Sequence, residues 1–260
     1  MKRQGYPSVE KDRSSTIVQV SKFFYRVCLV DYLNDEDHRY LGTAFPVAPD
    51  GGLLTCRHVV DVDYDPQTHR LGIMDDERNV FAFWDDTIFP SDDGLDLAFV
   101  PNALGRSKEE FFPILTPEIL RTGEDVYTFG FFQPNGGDGT ATQAYLSGAV
   151  VNMFSADADR GIHSLLPYAI IEGMSGSPVL TYHHGPKVVG LATGNRTQRV
   201  VAHEVMDYKD TEREYKETIN RVVEFGVAYH AATLVNFLQE MGVSEAVVSD
   251  QRVGVAGLEG

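Results

Sequence analysis

Apolar residues along this chain come in short runs rich in β-branched and aromatic side chains, each closed by a turn signal. The runs are FFYRVCLVDYL (23–33), YLGTAFPV (40–47), VFAFW (80–84), LDLAFV (95–100), DVYTFGFF (125–132), AYLSGAVVNMF (144–154), SPVLTY (177–182), PKVVGLATG (186–194) and VVEFGVAYH (222–230). Side chains of this kind suit a pleated, half-buried surface. Between them lie Asp50-Gly51-Gly52, Asp92-Asp93-Gly94, Pro134-Asn135-Gly136-Gly137 and His184-Gly185-Pro186, all turn formers. Short strands at regular spacing with few helices predict an all-β sandwich or barrel. One helix is predicted over AATLVNFLQEM (231–241), where Ala231, Leu234, Val235 and Leu238 share a face. The densely charged DYKDTEREYKETINR (207–221) reads as a second, solvated helix.

These elements sort into an N-terminal segment 1–15, a first β unit 16–115, and a second β unit 116–242 with a charged insertion at 197–221 and a tail 243–260. Three prolines in 101–122 mark the bridge between the units. At 260 residues and 43% hydrophobic, with 15 Phe, 12 Tyr and 24 Gly, the chain holds enough apolar mass for a core and many turns. Its formal charge of −16, with no run of Lys or Arg, argues against nucleic acid as a partner. The basic N-terminus MKRQ is not followed by an apolar stretch, so no secretory signal is expected. No apolar run is long enough to span a bilayer as a helix, and no membrane association is expected. Cys28 and Cys56 are too few for a disulfide scaffold and read as free thiols in a reducing cytoplasm.

Several residues could carry chemistry. Ser175, in IIEGMSGSPVL (170–180), fits either a nucleophile on a strained turn or one more small residue in a glycine-rich loop. His58, in LLTCRHVV, follows an apolar strand and fits a cleft-facing base or a surface residue. Asp96, in DDGLDLAFV, sits among Leu95, Leu97, Ala98 and Phe99, where a carboxylate needs a hydrogen-bonding partner. The imidazole N–H of a histidine is one such partner. His183 and His184 are adjacent in a turn, so their side chains diverge, and no His or Cys spacing marks a metal site. Neither a metal nor any other cofactor is expected.

The order His58, Asp96, Ser175 is that of the chymotrypsin-type triad. Here the sequence resembles the trypsin-like (chymotrypsin-fold) serine peptidases, in particular bacterial HtrA-type protease domains, over about residues 20–240. GTAFPV is similar to the strand before the family's catalytic histidine, and LLTCRHVV to its TAAHVV segment. LDLAFV is similar to DLAVL, EGMSGSPVL to GNSGGPL, and VVGLATG to the strand lining the substrate cleft. FGVAYHAATLVNFLQEM is similar to the last strand and closing helix.

The resemblance implies two six-stranded antiparallel β-barrels with a C-terminal helix. It implies a serine endopeptidase in which Ser175 is the nucleophile, His58 the general base and Asp96 its orienting carboxylate, with Gly173 and Ser175 N–H groups as the oxyanion hole. It places the specificity pocket at Ala169, Thr193, Gly194 and Asn195. Uncharged Ala169 at the pocket floor then favours a small or medium apolar side chain in the substrate. Met174 stands where secreted relatives carry the Asp that captures a newly cut N-terminus, so activation by propeptide cleavage is not expected. Nor is the peptide-binding domain that HtrA proteins carry after the barrels. A protein or peptide substrate and a regulatory protein partner are expected, the latter docking or gating at 197–221. Two other functions stay open: a binding or scaffold module with a misaligned triad, and an esterase-like hydrolase.

Overall fold

A computed structural model describes residues 23–243, except 32, 35–37, 49–50, 76–79, 85–86, 88, 90–93, 105–113, 116–119, 135–140, 156–160, 182–186 and 208–214. The β-rich pattern folds into two sheets whose neighbouring strands run almost wholly antiparallel. The first joins β1 (Tyr25–Asp31), β2 (His38–Pro46), β3 (Leu53–Thr55), β4 (His69–Asp75), β5 (Val80–Phe83) and β6 (Ala98–Val100) in the order β5-β4-β1-β2-β3-β6. The second joins β8 (Asp125–Phe132), β9 (Thr142–Ala149), β10 (Asn152–Ser155), β11 (Ile162–Leu166), β12 (Pro178–Thr181), β13 (Lys187–Asp207) and β14 (Tyr215–His230) in the order β10-β11-β14-β13-β12-β8-β9. A short β7 (Ile114–Leu115) runs parallel to the start of β13 and brings this sheet to eight strands. This is the all-β chymotrypsin-type architecture expected from the sequence. The expected termini, the His183-His184 pair and most of the 101–122 bridge lie outside the described residues.

Burial explains the strand patterns. β1 is buried along nearly its whole length because β2 and β4 flank it, whereas β9, at one end of its sheet, alternates between exposed and half-buried positions. One apolar cluster fills the first sheet and continues through Tyr127, Phe129 and Phe131 to the C-terminal helix. A second, around Val126, Leu166, Met174, Val179 and Val189, lies within the second sheet. The closing helix α2 (Ala231–Glu240) packs Ala231, Leu234, Phe237 and Leu238 inward, and the His230 ring Nδ1 accepts the Ala232 N–H at 3.1 Å as its N-cap. A single-turn helix, α1 (Arg57–Val60), precedes it in the first half. No helix among the described residues is long and apolar enough to cross a membrane.

The helix expected over 207–221 gives way to strand at both described ends, Asp207 on β13 and 215–221 on β14, while residues 208–214 lie outside the described residues. Tyr215–His230 is one continuous strand, paired with β13 from Gly190↔His230 out to Asp207↔Tyr215. Charge density favours a helix only weakly, and the ladder offered by β13 overrides it. Beyond Asn195 and Phe225 the two strands pair only with each other among the described residues, so they leave the sheet as a two-stranded ribbon.

Two side-chain environments in the core give measurable consequences. Cys28 and Cys56 are free and buried, and burial, with the Asp96 charge adding to it, pushes the Cys56 thiol well above the usual range. Ellman's reagent should leave both thiols untouched in native protein and titrate two per chain in denaturant without reductant; fewer than two would show a bridge. His163, on β11, stacks on Tyr229 at 4.5 Å and Phe154 at 5.5 Å, and burial lowers its pKa. Its folded pKa lies below the unfolded value, so the unfolded chain takes up the proton first. Its contribution to stability is therefore full above about pH 6.5 and falls as the pH drops below that. Denaturant unfolding between pH 7.5 and 5 should show this slope, flattened in His163→Phe; equal slopes in both proteins would rule the effect out.

Candidate active site

Three elements bring the expected acid, base and nucleophile toward one another. β3 ends at Thr55, and α1 begins two residues later, which puts His58 on the first turn of a helix at the sheet's edge. Asp96 lies just ahead of β6, which pairs with β3 through Leu54↔Phe99 and Thr55↔Ala98, so the two strands deliver His58 and Asp96 to the same end. The carboxylate faces His58 twice. Oδ2 lies 2.7 Å from ring Nδ1, and Oδ1 accepts the His58 backbone N–H at 2.9 Å. An ionised carboxylate only accepts, so Nδ1 carries the proton and Nε2 presents a lone pair. The Asp96 side chain is one-third exposed and that of His58 about half, at 34% and 49%, so the pair opens on solvent instead of being sealed within a strand. From the second sheet, the Tyr229 hydroxyl accepts the Asp96 N–H at 2.8 Å and fixes the carboxylate's backbone.

Ser175 lies on the loop between β11 and β12. Its hydroxyl donates to the Thr193 carbonyl at 3.2 Å and makes no hydrogen bond to His58 among the described residues. The loop has defined geometry. Met174 N–H donates to Ile171 O at 2.9 Å, and Gly173 takes φ +93°, which makes Ile171–Met174 a type II turn with glycine at its third position. Neither the Gly173 nor the Ser175 N–H has a hydrogen-bond acceptor among the described residues. Two donors left unpaired in a single loop are what an oxyanion site needs. Met174 is fully buried in the second cluster, so an apolar anchor occupies the position where the resemblance would place a charged one.

The first sheet supports this loop. Thr43 N–H on β2 donates to Ser175 O at 2.9 Å. Gly176, at φ +85°, sits so close to Thr43 O that a Cβ there would overlap it. The Tyr40 hydroxyl bonds Gly173 O at 2.6 Å, with Thr43 Oγ1 a further 3.2 Å contact to the same oxygen. Tyr40, Thr43 and Tyr229 were invisible as site residues in the sequence, where they read only as strand formers.

The residues expected to form the pocket lie on two segments, Ala169 ahead of the Ser175 loop and Thr193, Gly194 and Asn195 on β13. Ala169 is half-buried, and Gly194 borders open space, with nothing within 4 Å of where its Cβ would be. Thr193 donates its hydroxyl to Val227 O at 3.3 Å, which leaves its carbonyl for Ser175. Asn195 joins the two segments: its Oδ1 accepts the Ile170 N–H at 2.6 Å and its Nδ2 donates to Ile170 O at 2.8 Å. The Ile170 side chain lies over Gly226, close enough to resist any Cβ there. The donor atoms of Cys56, His58 and Asp96 lie within 4.8 Å of one another. That cluster makes a poor cation site, because burial keeps the Cys56 thiol protonated and its Sγ is turned to Ala192 O at 3.4 Å.

Comparison with known proteins agrees with this geometry. A search of curated proteins finds no match. Among solved structures, the HtrA-type protease AlgW with a decapeptide superposes with a TM-score of 0.57 at 12% identity, over 90% of this chain and 68% of that one. A single-residue variant of AlgW, also with a decapeptide, gives 0.53 at 14% identity, over 88% and 67%. At these identities the likeness is one of fold. The family model described as a trypsin-like peptidase domain matches residues 42–191, more than half of the chain and a span that includes His58, Asp96 and Ser175. The chain therefore belongs to the trypsin-like peptidase domain family and is, by that membership, a serine protease.

Proposed function

We propose that the protein is an endopeptidase that cleaves peptide bonds through His58, Asp96 and Ser175. The observation that carries this reading is the 2.7 Å pairing of Asp96 with His58 Nδ1, opposite a serine whose loop offers two unpaired N–H donors. Ser175 Oγ adds to the scissile carbonyl carbon while its proton passes to His58 Nε2. Asp96 holds the imidazole tautomer and stabilises the imidazolium. The Gly173 and Ser175 N–H groups receive the tetrahedral oxyanion. His58 then protonates the departing amine, and water repeats the sequence on the acyl-enzyme. In this reading the Ser175 hydroxyl leaves Thr193 O, on which it rests, for His58 Nε2.

Specificity follows from the Asn195 bridge. By tying both backbone groups of Ile170, it narrows the pocket that Ala169 and Gly194 border, and Ile170 itself fills space over Gly226. A small apolar side chain fits such a pocket, and no charge there would recruit Lys or Arg. The ribbon continues the cleft strand β13 outward, which makes it a handle through which a regulatory partner could act on the pocket wall. The buried free thiols accord with an intracellular setting. The decapeptide bound to AlgW supports a peptide as the substrate class.

Two experiments test the proposal. A fluorophosphonate probe should label the native protein and not Ser175→Ala, and Asp96→Asn should lower kcat on a peptide by about 10³–10⁴, the loss seen when a triad loses its orienting carboxylate. Folded wild type that never labels would favour a binding module on this fold, and esterase activity without any peptide cleavage would favour a hydrolase of another class. Profiling with a peptide library should give small apolar residues before the cleaved bond, widening to larger ones in Asn195→Gly. A dominant preference for Lys or Arg would contradict the pocket assignment.

A further inference from the structure

We propose that the free edge of β13 is a self-pairing surface, on which a second copy of this chain adds its own β13 about a two-fold axis. Such pairing is independent of whether Ser175 cleaves peptide, and it gives the ribbon a partner of defined chemistry. Beyond Asn195, β13 pairs only with β14 among the described residues, so its other edge presents a row of backbone N–H and C=O groups. A bare edge of that length invites another strand. The ribbon also suits an approach by its own copy. Its paired stretches, 196–207 and 215–225, hold four basic and four acidic residues, so they are neutral in a chain of charge −16. Two copies meeting here escape the repulsion that the rest of the acidic surface imposes.

A bulge fixes the register. Between Val201↔Asn220 and His203↔Ile219, β13 has one residue more than β14, Ala202. In an antiparallel ladder alternate residues turn their N–H and C=O toward opposite neighbours. Along a regular strand the outward-turned residues are all odd or all even, so two copies join only with odd opposite odd and even opposite even. The extra residue switches that alternation. Odd positions before Ala202 turn to the same edge as even positions after it, and the copies must join with odd opposite even. A bulge usually guards an edge; this one selects a register. One register of this kind centres the two-fold axis between Val201 and Ala202. It sets Arg199 opposite Glu204 of the second copy and Arg196 opposite Asp207 of the second copy, and the symmetry makes each pair occur twice. A slip of two residues, the smallest that keeps the hydrogen bonds, removes both kinds of pair. Within their own ribbon these four residues stand opposite uncharged ones: Arg196 opposite Phe225, Arg199 opposite Val222, Glu204 opposite Thr218 and Asp207 opposite Tyr215. Arg196 also lies over the Phe154 ring at 5.4 Å, a contact that brings no opposite charge. Opposite charges directly across a strand pair stabilise it, and like charges weaken it.

Sedimentation velocity on the full chain tests this. Wild type should show a monomer–dimer equilibrium at micromolar concentrations. Arg199→Glu and Glu204→Arg each set like charges opposite one another and should raise the dimer dissociation constant at least about tenfold. The double variant swaps the pair and should restore the constant to within about threefold of wild type. The register has its own readout. Arg199→Cys mixed with Glu204→Cys should form a disulfide between unlike copies under an added oxidant, with little from either variant alone, since Cys28 and Cys56 are buried. A wild type that stays monomeric at every concentration overturns the proposal and leaves the edge to a chain of another kind. A dimer that the reversals do not weaken, or that the double variant does not rescue, overturns it as well. If a charge variant fails to fold, the cysteine mixture decides. Like copies linking as readily as unlike ones, or no link in a sample that sediments as a dimer, then overturns it.

Discussion

The contact on which the site depends is the one between strand β2 of the first sheet and the Gly173–Gly176 loop of the second. Thr43 N–H holds Ser175 O, Tyr40 holds Gly173 O, and the absence of a side chain at Gly176 lets the loop close on Thr43 O. His58 and Asp96 belong to the first sheet and Ser175 to the second, so the three residues meet only as well as the two sheets dock. The half-buried carbonyls of Gly173 and Ser175, each satisfied by a donor from β2, make that docking directional where apolar packing alone would not be. Burial of Met174 adds attachment without direction.

Electrostatics and packing divide the work differently at the two ends of the site. On the His58 side the carboxylate does the orienting, gripping the ring and the backbone of the same residue, and Tyr229 holds it in turn. This side is open to solvent. On the Ser175 side orientation comes from neutral hydrogen bonds in a largely enclosed place, where each one is stronger and each omission more costly. Asn195 follows the second pattern: it couples β13 to Ile170 through an amide that matches a peptide group bond for bond. Because β13 continues outward as the ribbon, Asn195 and the ribbon lie on one strand.

Residues that announce themselves by type and order were legible in the sequence. A histidine after an apolar strand, an aspartate amid Leu and Phe and a serine in a Gly-Met-Ser-Gly turn could be ranked together because each is unusual locally. The strands and helix α2 were legible for the same reason, since their periodicity is local. The charges of 215–221 point to a helix in the sequence because they describe only solvation, while β13 lying alongside makes this stretch a strand. Tyr40 was unreadable as a site residue because its partner Gly173 lies 133 residues away and a tyrosine in a strand needs no special explanation. Asn195 could be placed on the pocket wall by resemblance, but its bridge to Ile170 depends on a bond across the pocket that no local pattern encodes.

In the proposed reading, a loop held by β2 presents the Gly173 and Ser175 N–H groups to an oxyanion formed on Ser175. A crystal structure of the protein reacted with a small-residue peptide aldehyde tests it most directly. A covalent bond from Ser175 Oγ is expected, with the hemiacetal oxygen within about 2.7–3.1 Å of both N–H groups. An adduct whose oxygen points away from the loop, or a Gly173 N–H turned away from that oxygen, would contradict this reading.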